Sequence, residues 1–216
     1  MLQEVPKALA PVGKTVFLEF LLRSFMANGF RRFVLCCGFL GNLIEQYFAK
    51  NPLSKAELVF SREEKPLGTA GAVKCAEPLL RSESFLVANG DSFCRIDYEE
   101  FFLFHQRVKP LVSIAVTRPP ARSDGGSVRV RKDGGVAAFT ERKPHPSNYF
   151  YAGVGLFEKR ALTNIPAYRN FSLEYDFFPM LKAMELRAYR TRGRVYDIGI
   201  PERLEEFRRV YPKLHF

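Results

Sequence analysis

Short apolar runs alternate with amphipathic stretches along the chain, and that alternation predicts an α/β domain. Leu18, Leu21, Leu22 and Phe25 recur at i, i+3, i+4 and i+7, the mark of a helix with one buried face. Asn28-Gly29 ends it, and Phe33 to Cys37 follows as a buried strand closed by Gly38. Leu43, Ile44, Tyr47 and Phe48 predict a second helix, and Leu58-Val59-Phe60 a short strand. After a glycine-containing loop, a helix turns Val73, Ala76 and Leu80 inward. Phe85 to Ala88 has the strongest central-strand pattern, with Asn89-Gly90-Asp91 at its C-terminal end. Asp97 and Glu100 resemble a capping box before Phe101, Phe104 and His105, and Leu111 to Val116 is another buried strand.

The pattern changes after Pro119-Pro120. Ser127 to Arg131 alternates apolar and polar residues, Asp133-Gly134-Gly135 supplies a turn, and Val136 to Phe139 returns: a β-hairpin. Tyr149 to Phe157 reads as a longer strand, Asp176 to Met184 as a helix and Val195 to Ile198 as a strand. A last helix begins at Pro201, with Glu202, Glu205 and Glu206 early and Arg208 and Arg209 late, as the helix dipole favours. The expected architecture is a Rossmann-like mixed, mainly parallel sheet flanked by helices, with a hairpin insertion, in a single domain over 1–216.

The net charge of +10 favours acidic ligands. No run of five or more basic residues occurs, which argues against a nucleic-acid tail. No stretch has signal-peptide or membrane-spanning character, so no membrane partner is expected. Cys36, Cys37, Cys75 and Cys94 form no Cys-x-x-Cys pair and read as buried, reduced thiols of a cytoplasmic protein. His105, His145 and His215 share no metal-ligand spacing, and His105 fits the edge of a core.

Chemistry is expected beyond the carboxyl ends of the strands, where open α/β sheets bind ligands. Asp91 and Asp197 each end an apolar run, and two such carboxylates could share one Mg²⁺, a hard cation that prefers oxygen. The competing explanation is that each merely caps a turn. Glu64 to Ala72 contains Gly68 and Gly71, which allow close backbone approach, and Thr69, which could cap the next helix while its amides meet a nucleotide. A plain loop-to-helix cap explains the same residues. Lys143 could pair with phosphate, and the carboxylates of Glu141 and of Ser172 to Asp176 could accept sugar hydroxyls. A solvated strand end and an N-terminal cap explain these equally.

Taken together, these segments resemble the sugar-1-phosphate nucleotidylyltransferase (sugar-nucleotide pyrophosphorylase) family. Val5 to Val12 is similar to its early lysine motif, Glu64 to Ala72 to its nucleotide loop, and Asn89-Gly90-Asp91 to its metal-binding segment. Tyr151 to Val154 and Ser172 to Asp176 resemble its sugar-binding segments, and Asp197 to Glu202 the tail with the second metal ligand. Within the family the pattern is most like the D-glycero-α-D-manno-heptose 1-phosphate and mannose 1-phosphate guanylyltransferases; muramic acid 1-phosphate uridylyltransferases are close.

The resemblance implies attack of a sugar 1-phosphate oxygen on the α-phosphorus of a nucleoside triphosphate, GTP favoured, with pyrophosphate leaving. It implies Mg²⁺ on Asp91 and Asp197, and Lys7 on phosphate. Glu64, Gly68, Thr69, Gly71 and Asn89 would meet the nucleotide, and Lys143, Gly153, Glu174 and Glu141 the sugar phosphate. Three departures stand out. The family's opening strand and glycine-rich loop are missing before Lys7. Arg142 occupies the place of the glutamate before Lys-Pro, shifting Glu141 by one residue and so to the other strand face. Tyr151 replaces a common asparagine. The alternative is a truncated, non-catalytic relative that binds sugar phosphate or nucleotide or acts as a subunit; a homo-oligomer is left open.

Overall fold

The computed structural model describes residues 5–38, 40–118, 127–140 and 149–214. In chain order its elements are β1 (Pro11–Val12), β2 (Thr15–Val16), α1 (Phe17–Ala27), β3 (Arg32–Cys37), α2 (Gly41–Lys50), β4 (Glu57–Arg62), α3 (Gly68–Cys75), β5 (Ser84–Ala88) and β6 (Ser92–Cys94). There follow α4 (Tyr98–Val108), β7 (Val112–Thr117), β8 (Ser127–Val130), β9 (Val136–Thr140), β10 (Tyr149–Glu158), α5 (Phe178–Met180), β11 (Leu186–Arg190), β12 (Val195–Asp197) and α6 (Pro201–Val210).

The chain divides into two compact units. The first comprises Met1–Pro66, Gly90–Phe93 and Tyr196–Phe216. Its apolar helix α1 buries Phe17 and Phe20 against Phe207 of α6, with ring centroids 4.9 and 5.2 Å apart. Phe20 also packs on Phe93, and Tyr196 on Phe207, so the chain segments around residues 91 and 197 are both anchored in this core. The parallel pair β3–β4 completes the unit. Part of the heavy use of phenylalanine is thereby a packing matter, since edge-to-face rings fill the space between α1 and α6.

The second unit comprises Leu67–Asn89 and Cys94–Val195. Its sheet runs β11-β7-β10-β8-β9, with β5 also paired to β10. β10 lies antiparallel to both β5 and β7, and β11 parallel to β7, so β5, β7 and β11 point the same way. Val112, Ile114 and Val116 of β7 are fully buried with Phe157, Leu162, Phe177 and Phe178. The expected hairpin is present as β8–β9, turned at Asp133-Gly134-Gly135. Asp97 caps α4, its side chain accepting from the Glu100 amide, as the capping pattern predicts.

Four expectations need correction. Phe85 to Ala88 is half-buried and pairs, among the described residues, with β10 alone; a continuous apolar run cannot tell a central strand from one at an edge. The helix that ran to Leu80 ends at Cys75, and a 3₁₀ turn holding Pro78 follows. The helix expected over 176–184 is a π-turn, Leu173–Phe177, and the three-residue α5. Leu181 turns to extended geometry there, and Pro179 has no amide to donate to a longer ladder. Cys36 is exposed and Cys75 half-buried; only Cys37 and Cys94 are buried, with burial pushing their thiols up to about 11 and about 12.

His105 is buried, and its polar contacts join α4 to three strands. Its Nδ1 lies 2.8 Å from Ser113 Oγ and its Nε2 3.0 Å from Glu158 Oε1, which also accepts from Ser84 Oγ at 2.7 Å. Burial pushes the Glu158 carboxyl upward, but the bonds from Ser84 and His105 outweigh it and leave the pKa lowered. A carboxylate with a depressed folded pKa stabilises above its unfolded value, about 4.3, and loses that contribution as pH falls through the folded pKa. Glu158→Gln is therefore expected to lower the melting temperature at pH 7, with the gap to wild type closing in acid below pH of about 4. Thermal melts of both proteins across pH check this; a gap that is constant with pH would remove the carboxylate's charge from the account.

Candidate nucleotide and sugar phosphate site

In the first unit, the two aspartates singled out by sequence are neighbours. β6 pairs with β12, and the Ile198 amide donates to the Asp91 carbonyl at 2.9 Å. Both aspartates are half-buried. Asp197 Oδ1 accepts from Arg203 Nη1 at 2.7 Å and from the Gly199 amide at 3.1 Å. Arg203 escaped the sequence reading. The available signal was its place six residues past Asp197, just inside a helix that Pro201 opens.

Lys7 opens a 3₁₀ turn, Lys7–Leu9, in the same unit. Leu9 and Ala10 are buried beneath it, while Lys7 is exposed and enters no ion pair among the described residues. Arg208 of α6 donates to the Pro11 carbonyl at 2.9 Å and so holds the lysine segment against the helix that follows Asp197. Glu64 is exposed.

In the second unit the glycine loop has a use that the sequence did not suggest. The Phe171 carbonyl accepts from the amides of both Ala70 (2.9 Å) and Gly71 (3.0 Å), and the Phe171 amide donates to Leu67. These α3 amides are therefore engaged, where the sequence reading had them open to a ligand. Gly68 has φ of +71°, and a Cβ there would stand 2.7 Å from the Phe171 oxygen. A Cβ on Gly71 would stand 2.6 Å from the Arg169 oxygen. Both glycines permit the loop to meet residues 169–171.

Thr69 does not cap α3. Its hydroxyl donates to Glu174 Oε2 at 3.0 Å and accepts from the Leu173 amide at 2.7 Å. Ser172 Oγ donates to the same carboxylate oxygen at 3.2 Å. The candidate nucleotide loop and the candidate sugar segment are thus joined directly by Thr69 and Glu174. Asn89 donates its amide to the Gly153 carbonyl at 2.9 Å, where the register of β10 against β7 breaks between Tyr151 and Gly155. Tyr151 is buried beside them, its hydroxyl without a partner among the described residues; burial and then the Glu174 charge push its pKa well up. Glu141 and Lys143 lie outside the described residues, as do His145 and His215.

A family model described as "Nucleotidyl transferase" matches residues 2–213. The chain belongs to the nucleotidyl transferase family. Within it, the chain is 28% identical over 204 residues to the D-glycero-α-D-manno-heptose 1-phosphate guanylyltransferase of Aneurinibacillus thermoaerophilus, covering 94% of this chain and 87% of that one. It is 27% identical to the mannose-1-phosphate guanylyltransferase of Mycobacterium tuberculosis, covering 91% of this chain but 56% of that longer protein. Among solved structures, HddC from Yersinia pseudotuberculosis superposes with a TM-score of 0.88 at 25% identity, over 96% of this chain and 91% of its own. HddC has also been solved complexed with GMP-PN. A UDP-glucose pyrophosphorylase shares the fold at a TM-score of 0.77 and 19% identity, over 97% of this chain and 91% of its own. The mixed α/β architecture is that of these nucleotidyl transferases.

Proposed function

We propose that this chain joins a nucleoside triphosphate, GTP by preference, to a heptose- or mannose-type sugar 1-phosphate, releasing pyrophosphate. The observation that carries the reading is the adjacency of Asp91 and Asp197, bridged by the Ile198 amide and the Asp91 carbonyl. The guanylyltransferase relatives support the choice of substrates.

Two carboxylates suit Mg²⁺, which keeps waters and takes its remaining oxygens from substrate phosphates. Among the described residues no group of three or more His, Cys, Asp or Glu is placed to hold a metal. Asp91 and Asp197 would hold the ion, and Arg203 would fix the orientation of Asp197. Bound there, Mg²⁺ would neutralise charge developing on the phosphates during in-line displacement.

The chain's own contribution is positioning. Lys7 would pair with phosphate as a point charge. Glu64, Asn89 and the exposed Thr69 would meet the nucleotide, while Gly68 and Gly71 would set the loop that carries Thr69 against residues 169–171. Glu174 and Gly153, with Lys143 and Glu141, would hold the sugar phosphate. No covalent enzyme intermediate is required, so orientation and charge compensation supply the rate. We assign the reaction to the cytoplasm, which the four unbridged cysteines support. No described helix is long and apolar enough to cross a membrane.

The test is pyrophosphate release from GTP with mannose- and heptose-type 1-phosphates in the presence of Mg²⁺. Release above the no-enzyme level is expected. Background signal from protein shown to be folded would overturn the reading in favour of a non-catalytic binder.

A further inference from the structure

Five exposed arginines gather at one edge of the second unit's sheet. Arg118 directly follows β7 and Arg190 ends β11. Arg192 and Arg194 continue beyond it, exposed, while the intervening Thr191 and Gly193 are half-buried. That strip is tied down by backbone and hydroxyl bonds. The Thr191 amide donates to Val116, Thr117 Oγ1 donates to the Gly193 carbonyl at 2.7 Å, and Thr191 Oγ1 donates to the Arg95 carbonyl at 3.3 Å. These contacts draw Arg95, also exposed, into the group.

Three of these charges, those of Arg118, Arg190 and Arg192, are not consumed locally. Arg187, earlier on β11, faces Asp133. Arg118, Arg190 and Arg192 enter no ion pair among the described residues, and Arg190 lies 5.1 Å over the Tyr149 ring. The nearby carboxylates are at the start of α4. Asp97 caps that helix, and with Glu100 its field falls on Tyr189.

The position of the cluster matters as much as its charge. Because β5, β7 and β11 run in one direction, Arg118 and Arg192 share the sheet edge with Asn89, which follows β5. Arg118 lies two strands and Arg192 three strands across from Asn89, and both lie about three residues further along the strands, so at roughly 4.8 Å per strand and 3.3 Å per residue they stand about 14 and about 17 Å from it. Ligands of open α/β sheets occupy this edge. Guanidinium groups at such distances attract a phosphate without touching it, over about 20 Å at low ionic strength and about 8 Å at physiological salt.

We infer that this arginine rim is an electrostatic collector for the triphosphate substrate, raising its concentration at the sheet edge without contacting it once bound. The inference rests on the proposed nucleotidyl transfer and adds residues to it that no motif marks. A triphosphate carries about twice the charge of a sugar monophosphate, so the rim acts more strongly on the nucleotide.

The experiment compares wild type with Arg118→Gln/Arg190→Gln/Arg192→Gln, surface changes that leave the core intact. Calorimetric binding of GTP and of mannose 1-phosphate is measured from about 20 mM to about 500 mM salt, alongside kcat. At the lowest salt the variant is expected to bind GTP about tenfold more weakly, the sugar phosphate less so, with the two proteins converging at high salt. Unchanged kcat and melting temperature complete the expected result. Parallel salt dependences, or a deficit that persists at high salt, would overturn the collector. Failure of the catalytic proposal is seen separately: GTP binding with no pyrophosphate release removes transfer but still scores the rim, while absence of GTP binding removes both.

Discussion

Asp91→Asn is expected to lower pyrophosphate release at least about a hundredfold while leaving the chain folded, because a metal-bound phosphate contact is worth several kcal/mol. The fold is spared for a specific reason: the bond from Ile198 goes to the Asp91 backbone carbonyl, which the substitution keeps. Asparagine has the same shape and loses only the charge that an oxygen-seeking cation needs. Asp197→Asn is the less clean variant, since it also weakens the ion pair with Arg203. Steady-state rates over a range of Mg²⁺ concentrations, with circular dichroism as the folding check, decide the matter. Turnover like that of wild type would remove Asp91 from the metal role and leave the neighbouring aspartates a structural explanation.

Gly68→Ala is expected to destabilise the fold by about 3 kcal/mol, from two additive sources. The left-handed φ of +71° strains any residue with a Cβ, and that Cβ would stand 2.7 Å from the Phe171 carbonyl oxygen. The neighbour is backbone and cannot rotate away. Gly29→Ala is the control: its φ is +90°, yet nothing lies within 4 Å of the added carbon, so it pays for strain alone. The melting temperature of the Gly68 variant should fall by roughly 6–12 °C, and that of the Gly29 variant by clearly less. Equal losses would show that the clash with Phe171 is relieved at no cost. Activity should fall with Gly68→Ala as well, since the loop that displaces Phe171 also carries Thr69 away from Glu174.

Much of the fold was legible because its causes are local. The spacing of Leu18, Leu21, Leu22 and Phe25 selects a helix, and Asp97 with Glu100 marks a helix start within four residues. Asp133-Gly134-Gly135 turns a hairpin within the turn itself. Where the reading erred, the deciding partner was distant or the local pattern ambiguous. Phe85 to Ala88 has the composition of a strand flanked on both sides, and nothing in four residues states how many neighbours will pair with it. The helix expected over 176–184 had suitable residues but met Pro179 and an extended Leu181.

The candidate site divides along the same line. That Asp91 and Asp197 carry oxygen ligands at strand ends, and that Gly68 and Gly71 sit where a helix begins, follows from the order of residues alone. That the aspartates meet, that Arg203 grips one of them, and that Phe171 and Arg169 are what Gly68 and Gly71 must accommodate are decided only by the folded chain. The reason is physical. Periodicity and caps act over a few residues, whereas a hydrogen bond across about a hundred residues, such as Thr69 to Glu174, is set by how whole elements pack and leaves no imprint on either segment.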